Sequence, residues 1–538
     1  MKKMKLESFG VMVDVSRNNV MSLDCWRRFL PMLQKMGYNT VFLYAEDTYE
    51  VEGEPYFGYM RGTYTKDEMK ELDALAASCG IEMIPCIQTL AHLDTFTKWG
   101  RYKIDNPGTL LVGDEHNYEL IDKMFKSLKE CFRTTRLHVG MDEAWTLGRG
   151  KYIDEYGYDT QGNIMKKHLA RVTEIAAKYG YELMIWSDMF FRGWNKGTYN
   201  VGKTEIPEEY RNAVPEEVIP VYWNYYTRDE QVYSDMLENH KQLSKDVWFA
   251  GGAWTWTGHI PSNKFSLETM LPAIEACKKQ KVENFFVTMW GDNGGECSKL
   301  AVLPTLFYLA EAVRGNNDEE KIKAKFARTF GIPFDTFMEI DEPNLIFPDK
   351  DVVIHPRNPS KYMLYSDYFN GFLDFTVGEG GNKLYDEIAK KLHKTARSYR
   401  KFGYIFESAA RLCDVLAVKY ELGVKTRAAY KAGDKEELLR LANEDYTEVY
   451  KRIERFYAAF EHQWTHENKH CGFEVQEARL GAMLLRTKAC KKRLIDYVSG
   501  KLDSIQELER EILNYEDREP GKSMYFNMFV RNFTGNVM

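Results

Sequence analysis

Eight short apolar runs, rich in β-branched and aromatic residues, recur in order along the first part of this chain, and this recurrence constrains the fold more than any other feature. They fall at residues 10–14, 40–44, 82–87, 136–140, 183–186, 218–223, 247–250 and 284–288. Between them lie stretches of helical periodicity, among them 23–36, 66–78, 118–131, 164–179 and 266–279. Eight βα units at a spacing of about 30 to 50 residues fill the roughly 250 residues of a (β/α)8 TIM barrel, and the fold class is read as α/β. The barrel is assigned to residues 1–315, with its first strand so near the start that no domain is expected to precede it.

The texture changes after residue 315. Pro333, Pro343, Pro348, Pro356 and Pro359 crowd a stretch predicted to be an extended connection over 316–361. From 362 to 538 the segments are amphipathic, rich in Lys, Glu, Leu and Ala, and broken at Gly423, Gly433 and Gly500. An all-α C-terminal domain is expected there, with the capacity to form a homodimer.

A net charge of -7 with 28% charged and 44% hydrophobic residues is that of an ordinary soluble protein and argues against nucleic acid as a partner. No run approaches the roughly 18 apolar residues of a membrane helix, so no membrane partner is expected. The opening residues, basic and then broken by Glu7, lack a signal-peptide core, and a cytoplasmic location is the expectation. The nine cysteines are scattered, odd in number and without a CxxC pair, which suits reduced thiols. No tight His/Cys cluster and no HxH pair on the first strand suggests a bound metal, and neither metal nor cofactor is expected.

Active sites of such barrels lie at the C-terminal ends of the strands. The residues placed there are Asp14 and Arg17, Glu46 and Asp47, Gln88 and His92, Asp142 and Glu143, Trp186 and Asp188, then Trp223, Asn224, Tyr225 and Tyr226, Trp254 and Trp256, and Trp290, Asp292 and Glu296. Tryptophan follows four successive strands, at 186, 223, 254 and 290, and would wall one side of the barrel mouth with flat apolar faces suited to sugar rings and acyl methyls. Adjacent carboxylates on a strand point to opposite faces unless the strand is ending, so Asp142 and Glu143 make a poor pair for flanking one bond.

The segment Leu137-His138-Val139-Gly140-Met141-Asp142-Glu143 resembles the His-x-Gly-Gly-Asp-Glu signature of glycoside hydrolase family 20. Met141 stands where that signature has its second glycine, and a differently shaped backbone is expected at that position. The resemblance extends through Arg17, His92, Trp186, Trp223, Trp254 and the segment from Trp290 to Glu296, and implies a subgroup with a helical domain behind the barrel. It implies an exo-β-N-acetylhexosaminidase acting on an oligosaccharide or glycoconjugate glycan, removing terminal GlcNAc or GalNAc with retention. In that chemistry the substrate's own acetamido oxygen attacks the anomeric carbon. Asp142 would hold the acetamido N–H and stabilise the oxazolinium-type cation, and Glu143 would protonate the leaving oxygen and then deprotonate water. Arg17 would bind sugar hydroxyls, or else form a structural ion pair with Asp14 or Glu46. His92 would tune the carboxylates. Tyr225, with Tyr226 as an alternative, would hydrogen-bond the acetamido oxygen. Trp186, Trp223 and Trp254 would line the acetamide pocket and Trp290 would floor the sugar. Glu296 and Asp292 would bind the outer hydroxyls at C4 or C6, or else only shape the loop between Gly291 and Gly295.

Three other readings compete. A metal-dependent hydrolase would gather His92, His138, Asp142 and Asp188. A glycosidase with a separate nucleophile or base would keep Glu143 as acid and draw its second carboxylate from Glu296 or Asp188. A catalytically inactive carbohydrate-binding barrel would need the aromatic residues and Arg17 but no proton donor.

Overall fold

The computed structural model describes residues 3–346, 355–513, 515 and 523–537. By its internal contacts the chain divides into two compact units that interleave in sequence. The first comprises residues 1–253, 266–290 and 305–318; the second comprises 254–265, 291–304 and 319–538.

The first unit is a closed barrel of eight parallel strands, β1 (Ser8–Asp14), β2 (Thr40–Tyr44), β3 (Glu82–Cys86), β4 (Arg136–His138), β5 (Glu182–Trp186), β6 (Val218–Trp223), β7 (Trp248–Gly252) and β8 (Asn284–Met289). Each strand pairs with its neighbours in chain order, and β8 closes on β1 with Ser8 opposite Asn284. The eight expected strands are these eight. Apart from the first residues of β3, β4 and β5, their residues are buried on both faces, as near-continuous apolar runs require. Inside the barrel Phe42 of β2 stacks on Phe286 of β8 at 4.3 Å between ring centroids, while Trp186, Trp248 and the His138 ring pack around them.

The helices between the strands start and stop on local signals. Helix α1 (Leu23–Met36) begins at Ser22, whose hydroxyl accepts from the Cys25 N–H, and ends at Gly37 in the left-handed region. Helix α2 (Lys66–Ser78) opens with a reciprocal capping box between Thr65 and Glu68. Helices α3 (Glu115–Lys129) and α4 (Gln161–Tyr179) follow the expected stretches within three residues at either end. Strand β4 is the short one. It stops at His138 because Gly140 and Met141 take φ of 72° and 69°, a conformation that no strand continues through.

The second unit is helical. Helix α5 (Gly381–Ser398) packs on α6 (Gly403–Lys419), whose apolar residues Ile405, Phe406, Leu412, Val415 and Leu416 are buried almost completely. The long helices α7 (Asp445–Glu467) and α8 (Glu474–Val498) pack together, and α7 also lies against α6. The interval expected to be extended holds a helix at Glu319–Phe330, a second at Phe334–Met338 and a 3-10 turn at Glu339–Asn344. The prolines were misleading because Pro333 and Pro359 sit at helix starts, where a missing N–H costs nothing. Pro348 lies outside the described residues.

Candidate active site

The turn after β4 sets the geometry. Gly140, Met141 and Glu143 all have positive φ, at 72°, 69° and 51°, and so does His92, at 55°. For three of the four this is a costly conformation, and its concentration here shows that the surroundings hold the chain in place. Met141 has the left-handed backbone that a glycine adopts without cost. Its side chain is fully buried, and its packing offsets the strain. The turn also resolves the difficulty of two adjacent carboxylates pointing apart. The Nε2 atom of His92 lies 3.3 Å from Asp142 Oδ2 and 3.8 Å from Glu143 Oε2, so both groups converge on one imidazole.

Asp142 is held on two sides. The Gln88 amide donates to its Oδ1 at 2.8 Å and to the Tyr44 hydroxyl at 3.0 Å, while the Gln88 carbonyl oxygen accepts from the Met141 N–H at 3.2 Å. Burial alone would push the Asp142 carboxyl up, but the His92 charge, the Gln88 amide and its own backbone N–H together hold it below the ordinary carboxylate range. Burial works against the charge on His92 in the same way, and the Asp142 carboxylate overrides it, so the imidazole is raised to about 9. Asp142 and His92 therefore form a charged pair at neutral pH. Glu143 is different: its side chain retains 38% of its exposure.

A third carboxyl stands behind them. Asp188, fully buried after β5, accepts from the Glu143 backbone N–H at 3.1 Å and from the Trp223 indole at 3.5 Å, with Arg192 Nε 3.5 Å away. Burial, then the Asp142 charge, push it up to about 7. Arg17 is clamped at 3.1 Å by Asp14 and 3.2 Å by Glu46, which is the ion-pair alternative raised from sequence, and its guanidinium lies over the rings of Tyr44 and Trp290. Burial raises the Glu46 carboxyl, with Arg17 opposing. Trp290 donates from its indole to the Tyr225 hydroxyl at 3.2 Å, Tyr225 stacks on Trp223, and Trp186 lies 6.2 Å from Trp290 between centroids.

Contacts thus connect Arg17, His92, Asp142, Glu143, Trp186, Trp223, Tyr225 and Trp290 in one cluster of the first unit. Trp254, Asp292 and Glu296 fall in the second unit. There Trp254 is fully buried and stacks on Trp256 at 4.0 Å, and Asp292 is exposed, its backbone carbonyl accepting from Asn527. Glu296, expected as an acceptor for sugar hydroxyls, is 3% exposed and already engaged by Lys361 at 2.9 Å, Arg479 at 2.8 Å and the Tyr365 hydroxyl at 3.0 Å. Burial would raise its carboxyl, but Lys361, His259 and Arg479 bring it down to about 2. The chain therefore uses Glu296 as the hub of a buried ion cluster. Gln88 and Asp188, which the strand-end rule does reach, turn out to be the groups that position the pair; no motif marked them.

A solvent-reached glutamate beside a carboxylate held charged, in one cluster with Trp223, Tyr225 and Trp290, fits the class of glycoside hydrolases, and the family comparisons place the chain there. The family model for the glycosyl hydrolase family 20 catalytic domain matches residues 10–242, and the Glycoside Hydrolase 20C C-terminal domain matches residues 335–527. The chain belongs to glycoside hydrolase family 20. It is similar to Hexosaminidase D from Homo sapiens, 26% identical in an alignment of 328 positions that covers 56% of this chain and 65% of that protein. It is also similar to a Beta-hexosaminidase from Akkermansia muciniphila, 26% identical over 36% of this chain and 46% of that one. The matches thus span less than two thirds of the length of these two relatives. Among solved structures, an exo β-N-acetylglucosaminidase from Vibrio harveyi aligns with a TM-score of 0.47 and 15% identity over 61% of this chain and 58% of its own.

Proposed function

We propose that the chain is an exo-acting β-N-acetylhexosaminidase that removes terminal β-linked GlcNAc or GalNAc with retention and with the substrate's acetamido group as nucleophile. One observation carries this reading. Of the carboxylates named after the strands in the first unit, the side chains of Asp14, Glu46, Asp47 and Asp188 are no more than 8% exposed and that of Asp142 is 12% exposed, against 38% for Glu143, so among these Glu143 presents the open acid. A two-carboxylate glycosidase needs a second group free to attack the anomeric carbon or to activate water. Asp188 is buried against the Glu143 backbone and Glu296 is engaged by two cations, so neither is available for that role. This supports a nucleophile carried by the substrate itself.

In the first step the acetamido oxygen bonds to the anomeric carbon, the bond to the leaving oxygen breaks, and the Glu143 proton passes to that oxygen. Asp142, kept charged by His92 and Gln88, accepts a hydrogen bond from the acetamido N–H and stabilises the oxazolinium cation. In the second step Glu143 takes a proton from water, whose oxygen attacks the anomeric carbon and reopens the ring with net retention. Trp186 and Trp223 enclose the acetamide, Tyr225 donates to its oxygen, Trp290 supports the sugar, and Arg17, oriented by its ion pairs with Asp14 and Glu46 and 21% exposed, meets its hydroxyls. The natural substrates on this reading are small oligosaccharides taken into the cytoplasm, which fractionation of the source cells would contradict by recovering the protein outside them.

The deciding experiment compares hydrolysis of aryl β-GlcNAc, β-GalNAc and β-glucoside substrates, with a thiazoline mimic of the oxazolinium as inhibitor. Cleavage of the N-acetyl sugars alone, blocked by the thiazoline, is expected. Cleavage of the glucoside, or indifference to the inhibitor, would return the second-carboxylate reading, and sugar binding without turnover would return the binding-module reading.

A further inference from the structure

Trp145 is the most exposed of the described tryptophans, at 51%, and it lies two residues beyond Glu143. Two residues of chain span at most about 7 Å. The Trp145 N–H donates to the Glu143 carbonyl at 2.7 Å, so the two residues share one tight turn. The Trp145 carbonyl in turn accepts from the Gln161 amide at 2.7 Å, which ties that turn to the start of α4.

One side of the indole is also fixed. The Arg192 guanidinium lies over the ring at 4.0 Å from its centroid, a cation–π contact. Arg192 is itself held, by Asp188 Oδ2 at 3.5 Å from its Nε and by the Gly197 carbonyl at 2.8 Å. Asp188 closes the circuit through the Glu143 N–H at 3.1 Å. An indole pinned from one side, half open to solvent, and tied to Glu143 through its backbone and through Arg192 and Asp188 is an apolar platform held next to Glu143 in the chain. Aromatic faces left exposed in this way are suited to binding a ring with an apolar face.

We propose that Trp145 is the floor of the subsite on the leaving-group side of the scissile bond, so that the preferred substrates carry a neutral pyranose directly beyond the N-acetylhexosamine. This rests on the glycosidase reading above and specifies its substrate class. The pyranose stacks its C–H face on the open side of the indole, and the stacking sets the glycosidic oxygen within reach of Glu143. Trp145 is a specificity residue for the leaving sugar and takes no proton.

The test compares two substrates with the same N-acetylglucosamine and leaving groups of similar basicity. One is the β-1,4-linked N-acetylglucosamine disaccharide; the other is trifluoroethyl β-N-acetylglucosaminide, which has no ring on the leaving side. For Trp145→Ala, kcat/KM on the disaccharide should fall about tenfold, the equivalent of one aromatic stacking contact, and on the trifluoroethyl glycoside by less than about twofold. Trp145→Phe should recover most of the disaccharide rate. Equal losses on both substrates would make Trp145 a support for Glu143 and overturn the proposal, as would an unchanged disaccharide rate. Wild-type protein that cleaves neither substrate would remove the glycosidase reading together with this one, whereas cleavage of both with no preference for the disaccharide would overturn the subsite alone.

Discussion

His92→Asn separates the electrostatics of the site from its packing. His92 sits at φ of 55°, and asparagine tolerates the left-handed region as histidine does, so the substitution removes the imidazole without adding backbone strain. The folded-state value of about 9 stands against an ordinary histidine near 6.5 in the unfolded chain. That difference corresponds to about 3 kcal/mol. Because the folded value is the higher one, this stabilisation is complete below about pH 6.5 and is lost as the pH rises through 9. Urea unfolding followed by tryptophan fluorescence should therefore show wild type ahead of the variant by about 3 kcal/mol near pH 6, beyond any constant offset from lost contacts, and the gap should close toward that offset near pH 10. The balance is set by burial, which opposes the charge, against Asp142, which overrides it, with Arg17 opposing the charge and Glu46 supporting it. Activity should respond in the same sense. Without the imidazolium, burial dominates at Asp142, and the acid limb of the kcat/KM profile should move to higher pH. A stability gap of equal size at both pH values, or an acid limb that stays in place, would refute the argument that His92 holds Asp142 charged.

Other outcomes follow from the same geometry. Glu143→Gln should lower kcat/KM by about 10² to 10⁴ on substrates with poor leaving groups and much less on activated aryl glycosides, and similar losses on both would count against its role as acid. A methyl group at position 140 would press into the Gln88 amide and lie 2.7 Å from the Ile87 carbonyl oxygen, at a φ of 72°. Gly140→Ala should therefore cost about 1 to 2 kcal/mol in backbone strain alone and lower activity by displacing Gln88 from Asp142, with circular dichroism and kinetics as readouts. Lys361→Met leaves the buried Glu296 short of one of its two close cations and should destabilise the protein by about 3 to 5 kcal/mol in urea unfolding. A loss below about 1 kcal/mol would show that Arg479 and Tyr365 suffice.

The barrel was legible because its signal is distributed: eight runs of β-forming residues, alternating with helical stretches, leave few other folds. Asp142 and Glu143 were legible because position after a strand is itself information in this fold. Their convergence was not, since it depends on Met141 adopting a φ that methionine rarely takes, which no propensity would forecast. Gln88 and Asp188 were visible as strand-end residues, but their partners are chosen by the register of β3 against β4 and by the turn after β5. Glu296 was the least legible. The residues that engage it, Lys361, Tyr365 and Arg479, lie 65, 69 and 183 positions along the chain, and the first falls in a stretch that reads as a connection.

The interleaving of the two units has a consequence for how such a chain can be divided. A cut after residue 318 looks natural in the sequence, yet the fragment it releases would carry the insertions 254–265 and 291–304 without the residues they fold against. Glu296 would then keep a carboxylate whose two cations and hydroxyl donor had gone with the other piece, and Gly294 would lose the Gln476 amide that caps its carbonyl. Shuffling the helical half between relatives as a cassette would exchange Lys361, Arg479 and Gln476 while leaving behind the loop they hold. The junction to preserve in any recombination is therefore made of side-chain pairs, and a cleavage point chosen by sequence texture alone would sever it.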